Sequence, residues 1–118
     1  MLLTIPTKRS KYFRQLVELL RSISPFNKLM PKDLDVYAEL LKRYDEFGYK
    51  NIKIANIYVF SQEIRGQIAN DLNMSQYQFN NSISRMKKIG IIENNGIASN
   101  YILRFDKKIE INFIENGN

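Results

Sequence analysis

The clearest pattern of apolar and polar positions lies in residues 64–90. Ile64, Ile68 and Leu72 recur every fourth residue, as they do on the buried face of a helix. Asn73 follows directly, and asparagine tolerates the left-handed backbone that ends many helices. The spacing therefore predicts a first helix that ends in a tight turn.

A second helix is predicted directly after that turn. Ser75 is placed as its N-cap, and Gln78, three positions later, completes an S-x-x-Q capping box. Phe79, Ile83 and Met86 then form one apolar stripe, and a glycine follows the last turn. Two short helices joined in this way make a helix-turn-helix.

Two further helices are predicted on the N-terminal side of this motif. Residues 1–24 are expected to form a short strand or arm followed by an amphipathic helix at residues 11–23. Residues 31–47 begin with a proline and continue with apolar residues at helical spacing. Asp33 and Asp35 are expected to be surface charges near the start of that helix, where they complement its dipole.

The other segments predict β-structure. Residues 51–60 are rich in Ile, Val and Tyr, which favours a short strand or an extended approach to the motif. Beyond residue 90, two apolar runs flank Asn94-Asn95-Gly96, as in a β-hairpin. Residues 106–118 alternate apolar and polar positions, which predicts a last strand and a polar tail.

These elements predict one domain over residues 1–118, of the α+β class and mainly α. A hairpin directly after the second helix is the wing of a winged helix-turn-helix, whose core is expected at residues 31–105. The segment at 1–24 would add an N-terminal helix, and 106–118 would add a C-terminal strand.

Composition excludes much enzyme chemistry. The 118 residues contain no cysteine and no histidine, which removes thiolate ligands, cysteine nucleophiles and the commonest general base. We therefore expect neither an enzyme, a metal site nor a cofactor.

No apolar run approaches the roughly 18 residues of a membrane span. The expected location is the cytoplasm, including that of an infected host, with the virion as an alternative.

Positive charge is concentrated in two segments of this chain of net charge +6. Residues 1–24 carry five basic residues and one acidic residue, and the second helix of the motif carries three basic residues and no acid. Basic clusters of this kind are typical of proteins that neutralise phosphates. A merely soluble surface is the alternative interpretation.

The second helix is predicted to contact DNA with its polar face. Amide and hydroxyl side chains in its first half are expected at base edges, and its basic residues at phosphates. Of the two adjacent asparagines, the helical wheel places Asn81 further from the core than Asn80. Basic residues of the N-terminal segment would grip the DNA backbone or form the exposed side of the first helix. The candidate DNA-binding residues are Gln76, Tyr77, Gln78, Asn80, Asn81, Ser84, Arg85, Lys87, Lys88, Lys8, Arg9 and Lys11.

The run IANDLNMSQYQFNNSI, residues 68–83, resembles the helix-turn-helix of phage repressors and of winged-helix replication and transcription factors. It shares the small residue at Ala69 and the apolar Phe79 and Ile83 of the second helix. It departs at the turn, where Asn73 stands in place of the usual glycine. The resemblance implies a small DNA-binding protein of a bacteriophage or plasmid, acting in transcription regulation or DNA replication.

Double-stranded DNA is the expected partner. A single small module makes few phosphate contacts, so a homodimer is expected, with Leu19, Leu20 and Ile23 of the N-terminal helix as its surface. The rival hypothesis is a protein-binding module for virion assembly or packaging that uses the same fold. Such a module would expose a sizeable apolar patch.

Overall fold

Five helices account for most of residues 9–94 and 96–104, the part of the chain that this computed structural model describes. A two-stranded antiparallel hairpin follows them, so the described domain is mainly α. The helices are α1 (Arg9–Leu20), α2 (Pro31–Phe47), α3 (Ile52–Val59), α4 (Gln62–Asp71) and α5 (Gln76–Lys88). The strands are β1 (Ile92–Glu93) and β2 (Gly96–Ile97), with Ile92 paired to Ile97 and Glu93 to Gly96.

The predicted pair of helices at residues 64–90 is present as α4 and α5, and its local signals act as expected. The Ser75 hydroxyl accepts a hydrogen bond from the Gln78 backbone N–H at 3.1 Å, and the Gln78 side chain accepts one from the Ser75 N–H at 2.9 Å. Asn73 has a φ of 55°, the left-handed conformation that separates the helices. The turn and the capping box are therefore confirmed.

The strand predicted at residues 51–60 is wrong, because this segment forms α3. The Asn51 side chain caps it by accepting from the Ile54 N–H at 3.2 Å. Ala55 and Val59, one helical turn apart, are both fully buried, and the strand that α3 contacts, β2, is hydrogen-bonded to β1 and not to this segment. Burial of this one face overrides the β-propensity of the isoleucines and tyrosine.

The core lies where α1, α2, α4 and α5 meet. The apolar positions of the predicted motif converge with those of α2, and Phe79 is fully buried at their centre. Leu72 is half-buried at its edge. The converging side chains are Leu34, Ala38, Leu41, Ile64, Ile68, Phe79, Ile83 and Met86. The inner face of α1 packs on α2 through Phe13, Leu16 and Val17.

The hairpin is tied to the core by Tyr44 of α2. Its hydroxyl accepts a hydrogen bond from the Ile97 N–H at 3.2 Å and donates one to the Asn56 side chain of α3. Gly96, with a φ of 152°, lies so close to these two side chains that a Cβ atom would overlap them. A ladder of two residue pairs is too short to stand alone, so these contacts fix its position.

Some predicted segments lie outside the described residues. These are the arm at residues 1–8 and the strand and tail at residues 106–118.

Candidate nucleic-acid interface

The outward side of α5 brings most of the predicted DNA-binding residues together. Its exposed side chains are polar or basic except for the ring of Tyr77, which is 75 % exposed. No acidic residue occurs in the helix. The exposed members of the predicted set are Gln76, Tyr77, Gln78, Asn80, Ser84, Lys87 and Lys88.

Lys87 and Lys88 supply the free positive charge of this surface. Both are exposed in the last turn of α5, where a cation also complements the helix dipole. Neither forms an ion pair with any residue in the described part of the chain. Their ammonium groups are therefore available to an anionic partner.

Arg85 is held differently, because its guanidinium group pairs with Asp33 of α2. Its Nη2 donates to one carboxylate oxygen at 2.7 Å and its Nε donates to the other at 2.9 Å. The arginine side chain is 40 % exposed, whereas the Asp33 side chain has no exposed surface. The charge of Arg85 is balanced within the protein, which favours a structural role over the predicted phosphate contact.

Asp33 is not the surface charge that its position in the first helical turn predicted. It is buried, and its carboxylate also accepts hydrogen bonds from the Ser82 hydroxyl at 2.6 Å and the Met30 backbone N–H at 3.1 Å. Burial alone would raise the pKa of this carboxyl group. The hydrogen bonds from Arg85, Ser82 and Met30 outweigh that effect and hold its pKa below the ordinary value.

The expected order of Asn80 and Asn81 is reversed in the structure. Asn80 is exposed and Asn81 is half-buried. The side-chain oxygen of Asn80 accepts a hydrogen bond from Nη2 of Arg65 on α4 at 2.6 Å and a longer one from Nε2 of Gln76 at 3.4 Å. The amide of Asn80 is thus oriented by its neighbours, with its Nδ2 end left as the donor.

A cleft of about 360 Å³ separates the N-terminal turns of α4 and α5. It is lined by Gln62, Arg65, Gln76 and Asn80, which are all amides or a guanidinium group. The guanidinium carbon of Arg65 also lies 5.7 Å from the centre of the Phe79 ring, which steadies that side chain. Gln62 and Arg65 were not among the predicted residues, since only the packing of α4 against α5 brings them to this place.

The N-terminal basic segment contributes less free charge than its sequence indicates. Arg14 pairs with Glu18 at 2.9 Å and with Asp35 at 2.5 Å, and Arg21 pairs with Glu18 at 2.9 Å. Lys11 is exposed. Lys8 and the side chain of Arg9 lie outside the described residues.

The N-terminal helix offers less apolar surface for a homodimer than the sequence predicted. Leu20 is buried in the core with only 7 % of its surface exposed, so its predicted place on a dimer surface is wrong. Leu19 and Ile23 remain exposed. Two separate leucine and isoleucine side chains form a small contact area.

Comparisons with protein-family models, with curated proteins and with solved structures gave no match to this chain. Among the described residues, no group of three or more carboxylates is placed to hold a metal ion. None of the described helices combines the length and apolarity needed to cross a bilayer. The function is therefore inferred from the residues of the α4–α5 surface.

Proposed function

We propose that this protein binds double-stranded DNA as a small winged helix-turn-helix module and acts in transcription regulation or DNA replication. The observation that carries this proposal is the outward side of α5, which combines amide side chains, two unpaired lysines and no acidic residue. A helix of this kind fits the major groove, where phosphates surround base edges rich in hydrogen-bonding groups. In this proposal the hairpin after α5 serves as the wing.

In this proposal the two ends of α5 have different tasks. Lys87 and Lys88 neutralise phosphates, which gives affinity without sequence information. The N-terminal end, with the cleft lined by Gln76 and Asn80, approaches the base edges. Arg85 holds α5 against α2 through its ion pair with Asp33.

The hydrogen bond from Arg65 decides which base edge Asn80 can read. Adenine is read by an amide whose oxygen accepts from N6 while its nitrogen donates to N7. The Asn80 oxygen already accepts from Arg65 at 2.6 Å and from Gln76 at 3.4 Å, which uses both of its lone pairs, so only its N–H donors remain. We therefore propose that Asn80 contacts an acceptor, such as O4 of thymine or O6 and N7 of guanine, and does not form the two-bond pairing with adenine.

Salt dependence tests the proposal directly. We expect binding to a duplex to weaken steeply with salt, and the double variant Lys87→Ala/Lys88→Ala to lower the log-log slope by about 0.9 for each lost phosphate contact. Lys28→Ala is the control, since Lys28 is an exposed lysine on the short connection between α1 and α2. Fluorescence anisotropy at several salt concentrations measures the slopes. Binding that ignores salt, or equal slopes for the two variants, would contradict a phosphate contact at α5.

A second candidate function rests on a different observation. Large apolar side chains are exposed on α3 and the adjoining end of α2, as the protein-binding alternative requires. From the sequence, we expected such a protein-binding module to act in virion assembly or packaging.

A further inference from the structure

An apolar patch that the DNA-binding proposal does not use lies on α3 and the C-terminal end of α2. Its members are Phe47, Ile54, Ile57 and Tyr58, whose exposed fractions are 41, 51, 73 and 37 %. The rings of Phe47 and Tyr58 stack with their centres 4.9 Å apart and their planes at 25°. This group of four side chains is called the α3 patch.

The α3 patch contains both a projection and a hollow. Ile57 is the most exposed isoleucine of the patch and projects from the middle of α3. One turn earlier lies a cleft of about 360 Å³, which is lined by Phe47, Gly48, Lys50, Asn51 and Ile54. A surface that carries a projecting apolar side chain beside an apolar hollow can receive its own copy, because a two-fold axis places each projection against the other copy's hollow.

We propose that the α3 patch is the contact surface between two copies of this chain, related by a two-fold axis that runs between Ile54 and Ile57. In this arrangement Ile57 of each copy enters the hollow beside Ile54 of the other. The dimer surface thus moves from α1, where Leu20 is buried, to α3.

The area of the patch suits a dimer of ordinary size. From the exposed fractions and the usual area of aromatic and large aliphatic side chains, it offers on the order of 300–400 Å² of apolar surface. A standard interface buries about 800 Å² per partner, of which somewhat more than half is apolar. The patch supplies most of the apolar part, and the polar residues around it supply the rim.

The charges around the patch allow such a contact. Lys50 and Lys53 are exposed on one side, and Glu46, with 51 % of its side chain exposed, lies on α2 beside Phe47. Both signs are present on the rim, so a two-fold pairing does not bring together surfaces of one sign only. The inference does not depend on DNA binding, because α3 and α5 carry separate surfaces.

Sedimentation equilibrium of the full chain without DNA tests the dimer. We expect a reversible dimer, and we expect Ile57→Glu to weaken it about a hundredfold, since each of the two copies loses a contact worth about a factor of ten. Leu19→Glu is the matched control: Leu19 is an exposed apolar residue on α1, and its variant should dimerise as the wild type does. Ile57→Ser serves as a second variant that adds no charge, and circular dichroism checks that each variant is folded.

Crosslinking identifies the occupant of the patch. The chain has no cysteine, so Ile57→Cys carries a single thiol. A short bis-maleimide should link two copies of Ile57→Cys efficiently and two copies of Leu19→Cys poorly. A monomer at every concentration, a dimer indifferent to Ile57→Glu, or preferential linking through Leu19→Cys would each overturn the proposal. A monomer would also leave the patch to a protein partner of another kind.

Discussion

Asn80 is an amide whose oxygen and nitrogen have different surroundings. The oxygen accepts from Arg65 of α4 and from Gln76, and the residue is exposed on the side that we assign to DNA. This asymmetry comes from the packing of α4 against α5, because Arg65 and Asn80 are fifteen positions apart in the chain. A helical wheel of α5 alone treats both ends of the amide as free.

Replacing Asn80 with aspartate tests whether its N–H donors read a base. The carboxylate keeps the contact with Arg65 but cannot donate, so Asn80→Asp should lose about 1–3 kcal/mol of preference for the favoured duplex over random DNA. Asn81→Asp adds the same charge at the half-buried neighbouring position and is the control. Competition binding with the two duplexes measures the preference.

We expect both variants to bind all DNA more weakly, since each brings a negative charge to α5. Only Asn80→Asp should change the discrimination. If the two variants discriminate equally well, the reading residue lies elsewhere on the surface.

The turn between α4 and α5 shows how one residue defines an element. Asn73 ends α4 in left-handed backbone, and the Met74 N–H then donates to the Ala69 carbonyl at 2.8 Å. Glycine adopts this conformation without strain, asparagine adopts it at modest cost, and a β-branched residue adopts it rarely.

The conformation of Asn73 predicts that two substitutions differ in their effect on stability. Asn73→Gly should change the free energy of unfolding by less than about 1 kcal/mol, whereas Asn73→Val should lower it by about 1–2 kcal/mol. Asn70→Val is the control, because Asn70 is exposed within α4 and valine and asparagine have about the same helix propensity. Urea unfolding measures all three. Equal losses at positions 70 and 73 would show that the turn conformation is not the cause.

Elements could be predicted from the sequence where their signals are local. The capping box at Ser75 and the apolar stripe of α5 involve residues within a few positions of each other, and both were predicted correctly. The segment that forms α3 was predicted wrongly. Its isoleucines favour a strand, but its contacts with α2 and α4 determine that it is a helix. The same limit applies to the candidate site: exposure of α5 was predictable, but Asp33, which pairs with Arg85, and Arg65, which donates to Asn80, lie on other helices.

At the scale of the whole molecule, Asp33 links the start of α2 to the middle of α5. Its carboxylate accepts from Ser82 and Arg85, which are separated from it by about half of the chain. Removing the carboxylate would leave the buried Ser82 hydroxyl without this partner and Arg85 without its counter-charge.

The lowered pKa of Asp33 predicts how stability depends on pH. A carboxyl group with a lower pKa in the folded state stabilises that state above the unfolded value of 3.8, and this contribution disappears as the pH falls through the folded value. Asp33→Asn should therefore reduce the acid dependence of unfolding below about pH 4 and should lower stability at neutral pH by about 2–3 kcal/mol. Thermal unfolding across the acid range measures both effects.

Asp35→Asn is the comparison for this experiment. Asp35 is half-exposed and pairs with the similarly exposed Arg14, so its replacement should cost less than about 1 kcal/mol at neutral pH. Equal effects at positions 33 and 35 would contradict a special role for the buried carboxylate.

Arginines and lysines in this molecule differ in whether their charge is paired within the protein. Every arginine whose side chain the structure describes is engaged with the protein itself, by an ion pair, a hydrogen bond or a ring contact. The described lysines are exposed and form no ion pair with other described residues, except Lys42, which is half-buried near Glu39. An acylating reagent attacks amines and spares guanidinium groups. Chemical acetylation would therefore remove the unpaired charge of the lysines while the arginine contacts within the protein stay in place, so that binding to polyanions can be weakened without a mutation that disturbs the fold.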